Sequence, residues 1–208
     1  MEIVAPPIDA YLHEITPPRD PVAGEMERLA ERRRFPIVGP LVGRLLYLLT
    51  RSIGARTVFE CGSGYGYSAY WFARALPPEG RVFLTEGSKE NCASARDFLG
   101  RAGLLDRVEI NQGDALEILP GRPGPFDIVF CDIDKRDYPR VHPLMKKSLR
   151  RGGLFICDNM LWSGRVVGRD ADADTRGVRE LTRLLYADPE LHTTIMPLRD
   201  GVAISLKI

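Results

Sequence analysis

Cysteine is scarce in this chain of 208 residues, four in all, and no two of them form a Cys-x-x-Cys pair. Cys61, Cys92, Cys131 and Cys157 stand about 26 to 39 residues apart, and three fall in apolar runs that read as strands. Reduced core thiols are expected, and neither a disulfide framework nor a zinc site is. Histidine is scarcer still: His13, His142 and His192 are scattered, with no serine or cysteine in a nucleophile elbow beside them, which excludes hydrolase triads. No uninterrupted apolar run approaches the length that crosses a bilayer, and the first residues, Met1 to Pro7, lack a basic segment followed by an apolar one. A cytoplasmic protein with no membrane partner is the expectation. Charge of one sign is lacking too. Lys plus Arg number 29 against 28 Asp plus Glu, a formal net charge of +1, so no global field draws the chain to nucleic acid or to an anionic membrane.

What is present is ordinary globular material, 44% hydrophobic and 27% charged, which excludes a disordered tail, a collagenous repeat and a coiled coil. The length suits one α/β domain, residues 1–208, rather than two. Residues 1–21 carry Pro6, Pro7, Pro17, Pro18 and Pro21 and form an irregular arm or a short helix. Helical spacing follows over Val22–Arg34 and Val38–Arg51, broken at Phe35-Pro36 because proline disfavours helix in the residue before it. In the core, 56–208, the period then changes. Apolar runs at 57–61, 81–85, 107–110, 126–131 and 154–157 read as strands, and amphipathic stretches at 67–76, 89–102, 115–119 and 138–149 read as helices between them. That alternation predicts a doubly wound, Rossmann-like, mostly parallel α/β sheet of seven strands with helices on both faces. It ends, after a helix over about 175–186, in an antiparallel hairpin of 191–196 and 202–207 joined by Pro197-Leu198-Arg199-Asp200-Gly201.

The chemistry-bearing residues gather where strands end. Glu60-Cys61-Gly62-Ser63-Gly64-Tyr65-Gly66-Tyr67-Ser68 hands the first strand to a helix, at the sheet edge where doubly wound folds bind ligands. A dinucleotide fingerprint would need glycine at 67, which holds Tyr67, and no Gly-Lys-Ser/Thr is present, so neither NAD nor a P-loop phosphate fits. The second strand ends in Thr85-Glu86, an acid able to accept both hydroxyls of a ribose, and the third is followed by Asp114-Ala115, where Asp114 can accept from an adenine amino group. Each acid alone reads as a helix cap. Together they outline an adenosine pocket that needs no pyrophosphate, which S-adenosylmethionine fits.

The fourth strand ends in Cys131-Asp132-Ile133-Asp134-Lys135 and the fifth in Cys157-Asp158-Asn159. On neighbouring strands about 4.8 Å apart, Asp132, Asp158 and Asn159 converge as three oxygen donors suited to Mg2+, or to Mn2+ or Ca2+. The bland alternative is a pair of unrelated caps or Asx-turns. A phenolic hydroxyl titrates near pH 10, so ionising it at neutral pH costs about 4 kcal/mol, which a cation offsets in large part. Lys135 is then placed either to take the hydroxyl proton or to orient the nucleophile. The Asp170-Ala171-Asp172-Ala173-Asp174 run imitates an EF-hand start, but Thr175 and Leu181 stand where glycine and glutamate are needed, and it is rejected.

In these motifs, joined by Gly152-Gly153, by Asp158 through Gly164 and by Asp200-Gly201, the chain resembles the cation-dependent class I O-methyltransferases, the catechol and caffeoyl-CoA group, from about Phe35 to the C-terminus. The resemblance implies that Gly62 and Ser68 hold the methionine moiety, with Glu60 and Gly64 in the same loop. Glu86 would hold the ribose and Ala115 the adenine edge, with Asp134 near the cofactor amine. Val38 and Gly39 would close over the cofactor. Asp132, also counted with the cofactor set, Asp158 and Asn159 match metal ligands and Lys135 a catalytic lysine, while the loop from Trp162 through Arg165 to Asp170 borders the acceptor pocket. The resemblance also makes a homodimer the expected assembly.

Two features depart from the plant and animal pattern. Arg34-Phe35-Pro36-Ile37-Val38 replaces a Met-x-Thr or Met-x-Val segment, and the C-terminal region has no clear counterpart of the carboxylate that grips a second catechol hydroxyl. The first resembles bacterial members, some of which methylate 5-hydroxyuridine in tRNA. Three functions follow: methylation of a small hydroxylated aromatic; methylation of tRNA, with Arg28, Arg32, Arg33, Arg34, Arg165 and Arg169 as a phosphate rim; or an idle cofactor-binding protein.

Overall fold

The computed structural model describes residues 3–169 and 171–208. Three helices come first: α1 (Pro6–Ile15), α2 (Pro21–Arg33) and α3 (Gly39–Ser52). The arm is thus a helix, begun by two prolines at positions where a missing N–H costs nothing. It buries none of its residues. In α2, Asp20 caps the N-terminus by accepting from the amides of Val22 and Ala23, and the helix stops at Arg34 in a left-handed conformation, just before the Phe35-Pro36 break.

The alternation that follows is β1 (Thr57–Cys61), α4 (Tyr67–Ala75), β2 (Arg81–Glu86), α5 (Lys89–Arg101), β3 (Val108–Gln112), α6 (Ala115–Ile118), β4 (Phe126–Cys131), α7 (Tyr138–Ser148), β5 (Leu149–Cys157), α8 (Ala173–Ala187), β6 (Leu191–Met196) and β7 (Val202–Lys207). One sheet contains all seven strands in the order β3-β2-β1-β4-β5-β7-β6, with β7 antiparallel to both neighbours and the rest parallel. The sheet is apolar on both faces because both are covered. Val58, Leu84, Ile128 and Ile156 pack with α2 to α5, whereas Phe59, Val129 and Phe155 pack with α6 to α8. Each large side chain buried in this way contributes about 1.5–3 kcal/mol. Among the described residues, no helix is long and apolar enough to cross a membrane.

One strand begins earlier than its apolar run. The pairing of β4 with β5 shifts between Phe126 and Ile128, so Leu149 faces Phe126 and Leu154 faces Ile128. Arg150, Arg151, Gly152 and Gly153 bulge between those pairs, held by the Arg150–Asp127 ion pair at 2.5 Å. Elsewhere the predicted boundaries hold to within one or two residues.

Strand order reverses between β1 and β4, and there the tips are tied together. Asp132 N–H donates to the carbonyl of Cys61 at 2.8 Å and Asp158 N–H to that of Cys131 at 3.2 Å. Cys61 pairs in register with Cys131, and Cys131 with Cys157, so three buried, unbridged thiols stand side by side beneath the edge where ligands bind in such sheets.

Candidate active site

A cleft of about 630 Å3 opens above the ends of β1, β2, β4 and β5. Its first wall is the loop after β1. Gly62, at φ +79°, lies so close to β4 that a Cβ would meet the Asp132 carbonyl oxygen at 2.5 Å, so only glycine fits. Gly64, at φ +55°, gives its missing side chain's place to the Phe35 ring, whose centroid is 5.1 Å from that of Tyr65. The Phe35–Val38 segment, which departs from the plant and animal pattern, therefore closes directly over the glycine loop and lines the cleft. Gly39 follows it as the first residue of α3, outside the cleft lining.

Glu60 is fully buried beneath this loop and accepts from Ser63 Oγ at 2.9 Å and from Ser68 Oγ. Burial pushes its carboxyl up to about 8. The two serine hydrogen bonds oppose the shift, and the charges of Asp132 and Glu86 add to it. Glu86 lines the cleft and is oriented from three sides, by Gly64 N at 2.9 Å, Ser88 N at 2.7 Å and Asn91 Nδ2 at 3.3 Å. Asp114 and Ala115 lie at the same sheet edge but do not line the cleft. Asp114 caps α6 through Leu116 N at 2.8 Å, and Ala115 is buried as the first residue of that helix.

The opposite wall is built by β4, β5 and the β6–β7 loop. Asp132, Asp134, Lys135 and Asn159 line the cleft together. Lys135 Nζ donates to Asp132 Oδ1 at 2.6 Å and to the Ile133 carbonyl at 3.2 Å, and it lies 5.2 Å and 5.7 Å from the ring centroids of Tyr138 and Trp162. Burial disfavours its charge, but the adjacent Asp132 carboxylate, with Cys157 and Asp158 behind it, wins, and the ammonium is held above the ordinary lysine value. Asp158 is buried at the tip of β5. Its Oδ2 accepts from Arg199 Nη1 at 3.0 Å, while its Oδ1, also buried, accepts no hydrogen bond among the described residues. Burial and the charge of Asp132 push the Asp158 carboxyl up to about 7 against the pull of Arg199. Asn159 takes a left-handed φ of +59° and donates through Nδ2 to Asp200 Oδ2 at 3.1 Å, leaving its amide oxygen for another partner.

An orphaned buried carboxylate oxygen is costly, and with a second carboxylate and an amide oxygen it makes a set of oxygen donors of the kind a hard divalent cation takes. Asp132, Asp158 and Asn159 fit such an ion. No cluster of three or more His, Cys, Asp or Glu side chains suited to a metal occurs among the described residues. Of the rejected acidic run, Asp172 caps α8 through Thr175 N at 2.7 Å, Asp174 accepts from Arg136 N, and Asp170 lies outside the described residues.

Sequence reasoning passed over three contributors. Tyr138, on α7, donates its hydroxyl to the Asp158 carbonyl at 2.8 Å and supports Lys135 with its ring. Arg179, on α8, gathers the carbonyls of Arg165, Val166 and Gly168 and so fixes the loop after Trp162. Arg199 reaches Asp158 only because β7 runs antiparallel beside β5, with Cys157 opposite Ala203. The strand pairing is the signal for it, and no local motif carries one.

The O-methyltransferase family model matches residues 26–208. A catechol O-methyltransferase of Mycobacterium tuberculosis is 33% identical over 97% of this chain and 95% of its own. Caffeoyl-CoA O-methyltransferase 1 of Eucalyptus globulus is 33% identical over 80% of this chain and 72% of its own. The crystal structure of the O-methyltransferase TomG of Streptomyces achromogenes, in complex with S-adenosylmethionine, superposes with a TM-score of 0.88 at 33% identity, covering 97% of this chain and 96% of that one. With a glycine loop, an oriented acid and a cleft at the strand-order reversal already in place, the chain belongs to the O-methyltransferase family and is an S-adenosylmethionine-dependent enzyme of its catechol and caffeoyl-CoA type.

Proposed function

We propose that this enzyme methylates a hydroxyl of a small hydroxylated aromatic acceptor of the catechol kind, assisted by a divalent cation, Mg2+ or else Mn2+ or Ca2+, held by Asp132, Asp158 and Asn159. The observation that carries this reading is the buried, unpartnered Oδ1 of Asp158, behind the wall opposite the glycine loop where Asp132 and Asn159 line the cleft. A bound cation supplies the positive charge that makes the acceptor hydroxyl easier to ionise. The other tasks fall to the chain. The glycine loop, with Glu60 and Ser68, holds the methionine end of the donor, and Glu86 holds the ribose, with Asp134 at the cleft rim beside the amine. Asp114 and Ala115, just beyond the cleft lining, mark the end of the sheet where the adenine edge would lie, and Val38, with Gly39 behind it, covers the donor. Lys135, kept charged by Asp132, orients the acceptor oxygen and stabilises negative charge developing on it. Trp162, with Lys135 and Arg165 within 6 Å of its ring centroid, lines the cleft and offers an aromatic surface to the acceptor. The hydroxyl proton passes to solvent as the acceptor ionises; methyl transfer then forms the oxygen–carbon bond as the sulfur–carbon bond breaks, and S-adenosylhomocysteine leaves.

A cleft of about 630 Å3 suits a donor with a small acceptor. Two of the arginines in the alternative phosphate rim are already paired, Arg33 with Glu90 at 3.0 Å and Arg165 with Asp172 at 3.3 Å, which favours the small acceptor over tRNA. The dimer implied by resemblance would use α1, whose Ile8, Tyr11 and Ile15 are exposed along one face. The deciding experiment is turnover of a catechol panel with EDTA and in an Asp158→Ala variant. Both are expected to cost about 10²-fold or more. Activity that survives both overturns the cation-assisted reading, and salt-dependent tRNA binding would move the acceptor to RNA.

A further inference from the structure

The two carboxylates of the candidate cation site each carry a basic side chain, and the two bases are not alike. Lys135 belongs to the same turn as Asp132, has only 12% of its side chain exposed, and lies within 6 Å of two aromatic rings. It is fixed. Arg199 comes from a different part of the chain, the loop between β6 and β7, where its backbone has a φ of +52°. Its side chain is 35% exposed, and its hydrogen bond to Asp158 Oδ2 is the one it makes among the described residues.

Arg199 is also the shared wall of two cavities. One is the catalytic cleft. The other, of about 460 Å3, is lined by Ile3, Val4, Pro6, Asp9, Ser163 and Asp200 together with Arg199. Arg199 thus borders open space besides the cleft, shared with two further carboxylates, Asp9 and Asp200, of which Asp200 already accepts from Asn159 Nδ2 and Ser163 N. A cation binding to Asp158 would compete electrostatically with a guanidinium already resting on that carboxylate, because two positive charges a few ångströms apart in a partly buried site repel strongly.

We propose that Arg199 is a built-in competitor for the cation: it holds Asp158 in the ion-free enzyme, and a divalent ion gains that carboxylate by displacing the guanidinium toward the second cavity. The proposal rests on the reading of Asp132, Asp158 and Asn159 as cation ligands. It makes Arg199 a residue that sets how tightly the ion is held, and it couples ion occupancy to the β6–β7 loop.

The test uses the full chain with Mn2+ as probe, with neither donor nor acceptor present, at mildly alkaline pH, read by calorimetry and by the electron paramagnetic resonance signal of free Mn2+. Arg199→Gly suits the left-handed backbone, and Arg199→Gln keeps the apolar stem without the charge. Both are expected to bind Mn2+ about tenfold more tightly than the parent, the scale of one charged hydrogen bond. In a thermal melt, Mn2+ is expected to raise the midpoint of either variant more than that of the parent, because the ion replaces the lost counter-charge on Asp158. Unchanged or weaker Mn2+ binding in whichever of the two variants folds overturns the proposal. Asp158→Asn separates this failure from that of the underlying reading. If it abolishes Mn2+ binding while the Arg199 variants match the parent, the ligands stand and the competition does not; if it leaves binding untouched, the ligand assignment falls and the proposal with it.

Discussion

The two walls of the cleft are finished to different degrees. On the wall built by the glycine loop, the polar side chains that matter have partners from the chain itself: Glu60 has Ser63 and Ser68, and Glu86 has two backbone amides and Asn91. On the wall built by β4, β5 and the β6–β7 loop, Asp158 keeps one buried oxygen and Trp162 its buried ring nitrogen without a hydrogen bond among the described residues, and Asn159, Trp162, Ser163 and Arg199 all take left-handed backbone conformations. The first wall is self-sufficient and preorganised, as tight donor binding requires. The second concentrates unmet polar groups and backbone strain, which is where chemistry is found in folded proteins.

Substitutions on each wall should therefore fail in different ways. The largest effect is expected on the second wall: Lys135→Met should lower kcat by about 10²- to 10⁴-fold while leaving S-adenosylmethionine affinity, measured by calorimetry, near that of the parent. A parallel loss of donor affinity would break the division between the walls. On the first wall, Glu86→Ala should weaken donor binding by about ten- to a hundredfold through lost charged hydrogen bonds, with kcat at saturating donor little changed. A fall in kcat that saturation does not restore would erase the distinction from the other side.

The smallest effect concerns Glu60 and stability. Its carboxyl is pushed from 4.5 to about 8 in the folded chain, chiefly by burial. Below 4.5 folded and unfolded chains both hold the proton; between there and about 8 the folded chain holds it more firmly, so the stability Glu60 contributes is lost as pH rises through that window. Glu60→Gln cannot ionise. Its melting temperature should fall less than the parent's across the same window, by about 3–5 °C for each pH unit, at about 1.4 kcal/mol per unit and about 2–4 °C per kcal/mol for a chain of this size. Equal slopes would mean that Glu60 is ionised throughout, and that the first wall is less sheltered than its burial implies.

How far all this could be read beforehand depends on whether a feature is local. The alternation of apolar runs and amphipathic stretches carried the sheet, its closing hairpin and the placing of Gly62, Glu86, Asp132, Lys135 and Asn159 around one cleft, because period and strand ends are local properties of the chain. The early start of β5 was hidden, since residues 150–153 are two arginines and two glycines and enter the strand only as a bulge against Asp127. Asp114 kept its local role as a helix cap. Arg199 and Arg179 were illegible for a different reason: what they touch, Asp158 in one case and the carbonyls of residues 165–168 in the other, is fixed by the packing of β7 on β5 and of α8 on the loop after Trp162.

Cys61, Cys131 and Cys157 are the inward-facing final residues of three strands in step, and Gly62, Asp132 and Asp158 come directly after them. A single peptide unit on each strand marks the border between oily interior and reactive rim. Sliding either ladder by one residue would turn an acid toward the core and lift sulfur into its place, so the catalytic address is written in how the strands are aligned, and the loops only decorate it.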